Sequence, residues 1–142
     1  MEEKEILVKI SEEQKERLLA EARKAKEKAY TPYSNYKVGA ALLTRSGRIF
    51  GGCNIENASY GATICAERVA AVKALSAGEK DFLALAVLSD SEEPGTPCGI
   101  CRQFLVEFAP QLPLIMGNLQ GKVIVGRLDH YLPSAFNKEY LK

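Results

Sequence analysis

The chain has 142 residues, 46% of them hydrophobic and 26% charged, which is ordinary globular composition and excludes disordered, collagenous and coiled-coil readings. That length predicts one compact domain over residues 1–142, large enough to bury a core without staples. With 19 basic against 18 acidic side chains there is no charge excess to track a phosphate backbone, and four cysteines are too sparse for a disulfide scaffold.

The first apolar run, Ile6 to Val8, is flanked by charge and is no signal peptide. No stretch approaches the roughly 18 apolar residues that span a bilayer. The expectation is a cytoplasmic chain with reduced thiols and no membrane partner. Residues 1–28 hold eight acids and eight bases, a balance that reads as a solvated helix face and not a nucleic-acid arm. Ser11 followed by Gln14 is a capping-box signal. Leu18, Ala22, Ala25 and Ala29 then recur at helical spacing, predicting a helix over 12–29. Thr31-Pro32-Tyr33-Ser34 breaks it. Strands are predicted over 36–43 and 48–53, joined across Thr44-Arg45-Ser46-Gly47. A helix over 65–77 ends at Gly78. Residues 82–88 are continuously apolar, as in a strand buried on both faces. After Pro97, the residues Ile100, Phe104 and Phe108 line one helix face, which stops before Pro110. Short strands over 113–116 and 122–126 precede two Pro-bounded turns. The alternation predicts an α/β domain whose helices cover a five-stranded sheet.

Chemistry concentrates in three cysteines. Cys98 and Cys101 bracket Gly99-Ile100, a gap suited to chelating one metal, and Cys65 lies 33 positions earlier. Both groups fall at predicted helix N-termini, where unpaired N–H groups and the positive dipole end favour thiolate. Three cysteines leave the fourth position of a tetrahedral zinc open, the mark of a catalytic site; a structural site is closed by four protein ligands. The side chains that could close it are Cys53, otherwise a small strand residue, and His130, otherwise a loop residue. Glu67 follows Cys65 by two residues. A carboxylate beside an open zinc can carry a proton from water to a leaving group. Alone, a Glu in a first helical turn compensates the dipole. Within a regular helix, positions two apart point about 200° away from each other, so both can serve one site only beyond the helix N-terminus. The glycines at 51–52 and 117–121 form no phosphate-binding pattern, read as strand and turn glycines, and imply no nucleotide cofactor.

Cys65-Ala66-Glu67 followed by Pro97-Cys98-Gly99-Ile100-Cys101 resembles the zinc nucleobase deaminase signature, with Cys as the first ligand. Asn54 through Gly61, Cys98 through Gln103, Tyr33 through Ala41 and Leu132 through Phe136 narrow the resemblance to the small, homotetrameric cytidine deaminases, from about residue 12 onward. It implies a single three-layer α/β domain with a five-stranded mixed sheet and helices on both faces. It also implies one zinc per chain on Cys65, Cys98 and Cys101, with Glu67 as proton shuttle in hydrolysis of cytidine or deoxycytidine at C4 to uridine or deoxyuridine and ammonia. Ala66 N–H and the Thr96 carbonyl would hold the pyrimidine edge, and Asn54 and Glu56 the 3′-hydroxyl. Ala58 is a further substrate-binding position. Tyr36 takes the place of an aromatic, often Phe, that packs on the base. Tyr60 and Phe136 match residues that reach a neighbouring subunit's site, and are otherwise plain core aromatics. Arg68 matches an arginine that contacts the cysteine ligands, and is otherwise a solvated helix residue. Three thiolates on Zn²⁺ carry a formal charge of −1, which Arg68 and the two helix N-termini would offset.

Other readings stay open on the residues alone. Cys98-Gly99-Ile100-Cys101 also fits a thiol oxidoreductase, though that leaves Cys65 and Glu67 unexplained. A zinc closed by Cys53 or His130 would be structural. A polynucleotide substrate needs a basic groove, which the near-neutral charge disfavours. Deaminases of aminonucleoside antibiotics share the zinc motifs, but Asn54 through Gly61 favours free pyrimidine nucleosides in a salvage role.

Overall fold

The computed structural model describes residues 1–141. Helices α1 (Glu3–Ile6) and α2 (Glu12–Lys26) precede the hairpin β1 (Val38–Thr44) and β2 (Ile49–Cys53). Helix α3 (Ala66–Ser76), strand β3 (Phe82–Ser89), helix α4 (Gly99–Val106), strands β4 (Pro113–Asn118) and β5 (Val123–Arg127) and helix α5 (Leu128–Tyr131) follow in order. The strands form one five-stranded sheet in the order β2-β1-β3-β4-β5. Only β3 and β4 run parallel; the other pairs are antiparallel. A parallel pair cannot be closed by a tight turn, so the chain returns through α4.

The two faces of the sheet follow from its period of two. Ala40, Leu42, Leu85, Val87, Leu114 and Met116 face α3 and α4. Ala41, Leu43, Ala84, Ala86, Leu88 and Ile115 face Leu18 and Ala22 of α2 and Ile6 of α1. The sheet is therefore the middle of three layers, and β3, covered on both sides, has no polar face to show. That accounts for its unbroken apolar run.

The capping box at α2 forms in both directions: Gln14 N–H donates to Ser11 Oγ at 3.1 Å, and Ser11 N–H donates to Gln14 Oε1 at 2.9 Å. The helix stops at Lys26 and not at residue 29, because Lys28 and Ala29 donate to carbonyls three residues back, at 3.0 and 3.1 Å. The buried side of α4 is Cys101 with Leu105 and Val106, while Ile100 is exposed and Phe104 and Phe108 are only partly covered. The expected Ile100–Phe104–Phe108 face is therefore rotated. Where two turns were expected after residue 126, the chain forms α5 and a 3₁₀ turn over Lys138–Leu141. Leu128 anchors α5 by full burial and by its N–H on the Leu112 carbonyl at 2.9 Å. Segments of four residues, α1 and α5 alike, are too short to show a period.

Two contacts set how closely the helices lie on the sheet. A Cβ added to Gly39 would come within 2.0 Å of the Ala22 carbonyl oxygen of α2. A Cβ on Gly52 would come within 2.5 Å of the Ala70 nitrogen and 2.6 Å of the Ala66 oxygen of α3. The facing side of α3 is correspondingly small: Ala66, Ala70, Ala71 and Ala74 are all fully buried. At the end of α2, buried Lys26 pairs with Asp90 at 2.6 Å, and Asp90 also accepts the Lys37 N–H at 3.1 Å. That pair ties the loop before β1 to the loop after β3.

Gly51 provides the control for Gly52, because its added Cβ would meet Ala25 Cβ at 3.5 Å and the Ala40 oxygen at 3.9 Å, both ordinary contacts. Gly52→Ala should lower unfolding free energy by about 1–3 kcal/mol or more through forced displacement of α3. Gly51→Ala should change it little. Urea unfolding midpoints of the two variants measure this, and equal losses would refute the close-approach account.

Candidate active site

Cys65 occupies the N-cap of α3 and Cys98 the N-cap of α4, while Cys101 is the third residue of α4. Neither cap side chain makes a capping bond to its own helix backbone, which leaves both sulfurs turned to other partners. The Cys65 and Cys98 sulfurs are 3.7 Å apart, and all three sulfurs lie within 4.8 Å of one another. All three cysteines are free. Around a tetrahedral zinc with Zn–S bonds of about 2.3 Å, sulfurs stand about 3.8 Å apart. The triangle therefore fits one zinc per chain. Cys53, at the end of β2, and His130, set edge-on to Tyr131 in α5, lie outside the only such group found among the described residues.

Cys65 and Cys101 hold their protons unequally. Hydrogen bonding from the Cys101 thiol, joined by Arg68 and Cys98, pulls Cys65 down to about 5 against the cost of its burial. Cys101 is pushed up in return, as the donor in that bond and as a buried group near Glu67. Arg68 directs Nη2 to Cys65 Sγ at 3.8 Å and to the Thr63 carbonyl at 3.5 Å. Its Nε is buried with no hydrogen-bond partner. A guanidinium held this close to the sulfurs favours their charged form.

Glu67 is the second residue of α3 and is 5% exposed. Burial first, and the negative charge of Cys65 second, raise its carboxyl to about 7, while its backbone hydrogen bond and Arg68 act the other way. Such a group both gives and takes a proton near neutrality. The divergence expected for residues two apart does not arise. Cys65 is a cap with extended backbone, φ −72° and ψ 152°, and so lies outside the helical screw.

A second cluster sits on the loops. Asn54 donates from Nδ2 to the Tyr36 carbonyl at 2.8 Å and accepts the Val38 N–H at 2.9 Å. Glu56 accepts the Tyr33 and Ser34 N–H groups at 3.0 and 3.1 Å on Oε1, and the Ser34 hydroxyl on Oε2. The Ser34 hydroxyl, then the two N–H groups, hold this carboxyl below its ordinary value. Glu56, Tyr33, Ser34, Tyr60 and Thr63 line a cavity of about 370 Å³. Ala58 and Thr96 are exposed and Ala66 is buried at the start of α3. Phe136 is absent from the cavity wall; it stacks on Tyr140 at 5.2 Å, and its carbonyl accepts from Gln103 at 2.7 Å. A hollow of about 430 Å³ beside Phe82, Phe108 and Pro110 contains none of these residues. Ser34 and Arg102 went unassigned in the sequence; their partners lie 22 and 29 residues away, beyond any local pattern.

Three thiols leave a coordination position for water, and a buried carboxyl beside them can manage its protons. On a three-layer α/β scaffold, that combination defines a zinc-site hydrolase of the nucleobase-deaminase class. Residues 12–115 match the model of the cytidine and deoxycytidylate deaminase zinc-binding region. The cytidine deaminase of Sporosarcina psychrophila is 50% identical over 127 residues, covering 89% of this chain and 93% of that protein. That of Halalkalibacterium halodurans is 49% identical over 123 residues, covering 86% and 93%. The crystal structure of cytidine deaminase from Burkholderia pseudomallei superposes with a TM-score of 0.84 at 47% identity, covering 89% of this chain and all of that one. The chain belongs to the cytidine deaminase family.

Arg68 faces the thiols rather than solvent, so Arg68→Ala should retain the fold while weakening zinc binding by roughly 10- to 100-fold. Competition against a colorimetric chelator measures the affinity. Unchanged zinc affinity in a folded variant would assign Arg68 to the surface instead.

Proposed function

We propose that residues 1–142 form one domain that hydrolyses cytidine and deoxycytidine to uridine and deoxyuridine, releasing ammonia, in pyrimidine salvage. The observation that carries this is the triangle of Cys65, Cys98 and Cys101 beside the buried, near-neutral carboxyl of Glu67. The three thiols would hold zinc. When bound, zinc supplies Lewis acidity and brings water to nucleophilic strength near neutral pH. Glu67 takes the proton of the attacking water, passes it to N3 of the base, and carries the second proton to the departing amine. Water adds at C4, the C4–N4 bond breaks, and ammonia leaves. The Ala66 N–H and the Thr96 carbonyl hold the pyrimidine edge, and Tyr36 packs on its face.

Asn54 and Glu56 take the 3′-hydroxyl. The Ser34 hydroxyl and the Tyr33 and Ser34 N–H groups hold the Glu56 carboxyl below its ordinary value, which favours the ionised form that accepts. Ala58 completes the sugar side. Arg68 tempers the negative charge of the thiolates. Tyr60 and Phe136, 76% and 54% exposed in the single chain, serve a neighbouring subunit's site in a homotetramer. Each is paired with another exposed ring, Tyr60 with Tyr33 at 5.8 Å and Phe136 with Tyr140 at 5.2 Å, which supports a second copy as partner. The chain acts in the cytoplasm on free nucleosides, without nucleic acid or membrane. No helix among the described residues is long and apolar enough to cross a bilayer.

Incubation with cytidine and deoxycytidine should produce loss of absorbance in step with ammonia release, from protein holding one zinc per chain. Glu67→Gln should keep the zinc and lose turnover by about 10²- to 10⁴-fold. A fully active variant would displace Glu67 from the mechanism. Sedimentation should give four times the 15.6 kDa chain mass, and an active monomer would end the shared-site reading.

A further inference from the structure

A carboxylate has two oxygens and about four acceptor positions. On Glu56, two positions of Oε1 are taken by the N–H groups of Tyr33 and Ser34, and one of Oε2 by the Ser34 hydroxyl. One position on Oε2 is left, and Glu56 lines the cavity it shares with Tyr33, Tyr60 and Thr63. Ser34 therefore decides where that last lone pair points.

The same hydroxyl has a second task. Asn35 adopts a left-handed φ of 55°, which folds the chain back so that the Tyr36 N–H donates to Ser34 Oγ at 3.0 Å. The Tyr36 carbonyl in turn accepts from Asn54 at 2.8 Å. Glu56, Ser34, Tyr36 and Asn54 thus form one connected run. It is reinforced where the Tyr30 N–H donates to the Asn54 carbonyl at 3.0 Å and the Glu56 N–H to the Tyr30 carbonyl at 2.9 Å. The Ser34 oxygen gives its single proton to Glu56 and its lone pair to Tyr36, so it cannot turn without losing one of them.

We propose that Ser34 is a positioning residue for nucleoside recognition: its hydroxyl aims the free lone pair of Glu56 at the sugar and sets the backbone of Tyr36 in the same register. This rests on the reading of Glu56 as acceptor for the 3′-hydroxyl. Removing the Ser34 hydroxyl leaves Oε1 held by two N–H groups and frees Oε2 to swing. Catalytic groups around the thiols are untouched. Any effect through Tyr36 is common to all substrates and cancels in a ratio, whereas the part that passes through Glu56 falls only on substrates that carry the 3′-hydroxyl.

The test is the ratio of kcat/KM for cytidine to kcat/KM for 3′-deoxycytidine, measured on zinc-loaded enzyme. Ser34→Ala should lower that ratio about tenfold, the size of a lost hydrogen bond to a charged group. Ser34→Thr, which keeps the hydroxyl on an exposed residue, should preserve it. In a Glu56→Gln background, Ser34→Ala should reduce the ratio no further, because the two act as a unit. An equal loss on both substrates, or an unchanged ratio in Ser34→Ala, would overturn the proposal while leaving Glu56 in place. If Glu56→Gln itself leaves the ratio unchanged, the sugar assignment of Glu56 is what fails, and the proposal goes with it.

Discussion

Everything in the site depends on two helix N-termini meeting at one point. Helices α3 and α4 hang from different strands and are separated by a whole strand of sequence, yet their caps bring Cys65 and Cys98 to 3.7 Å. The height of α3 above the sheet is set where its backbone touches β2 at Gly52, across a row of fully buried alanines. The position of α4 is set by the crossover that the parallel β3–β4 pair demands and by Leu105 in the core. Neither helix has spare room to adjust, since packed interiors resist displacement. The spacing of the sulfurs thus follows from how the two helices pack on the sheet.

That convergence has an electrostatic cost which the neighbourhood offsets. Cysteine is a poor N-cap, and neither cap side chain here accepts an N–H of its own helix. Glu67 is buried beside Cys65, and burial first, then the negative charge of that sulfur, raise its carboxyl to about 7. Against these stand Arg68, the positive ends of two helices and the charge of a divalent ion. Local rules are broken at one place and compensated at that same place, as expected of a functional site in an otherwise consistent fold.

The sheet, the helix order and the metal triangle were legible because each rests on a local signal. The capping box of α2 lies within four residues, the apolar run of β3 states its own burial, and Cys98 and Cys101 announce themselves by spacing. What stayed hidden depends on distant partners. A glycine such as Gly52 reads alike whether its missing side chain faces water or a helix backbone. Ser34 looks like any turn residue until Glu56, 22 positions on, is placed against it. Cys53 and His130 were both possible fourth ligands by composition, and only three-dimensional placement separates them from the sulfurs. Ile100 was misplaced because aromatic spacing pointed to one face of α4 while Cys101 and Leu105 fill the core from another.

The two halves of the site are built from different materials. The metal side rests on buried helix packing, the Asn54–Glu56 side on hydrogen bonds between loops. Helix α4 joins them to a third element. Arg102 donates to the Pro97 carbonyl at 2.7 Å and to the Tyr131 carbonyl at 2.9 Å, and Gln103 donates to the Phe136 carbonyl. These residues directly follow Cys101, so the helix that presents two thiols also bolts down the C-terminal segment. A shift of α4 that disturbed the sulfurs would carry Phe136 with it. The backbone of Phe136 is therefore anchored by the same helix that sets the metal geometry, while its ring is held locally by the stack on Tyr140.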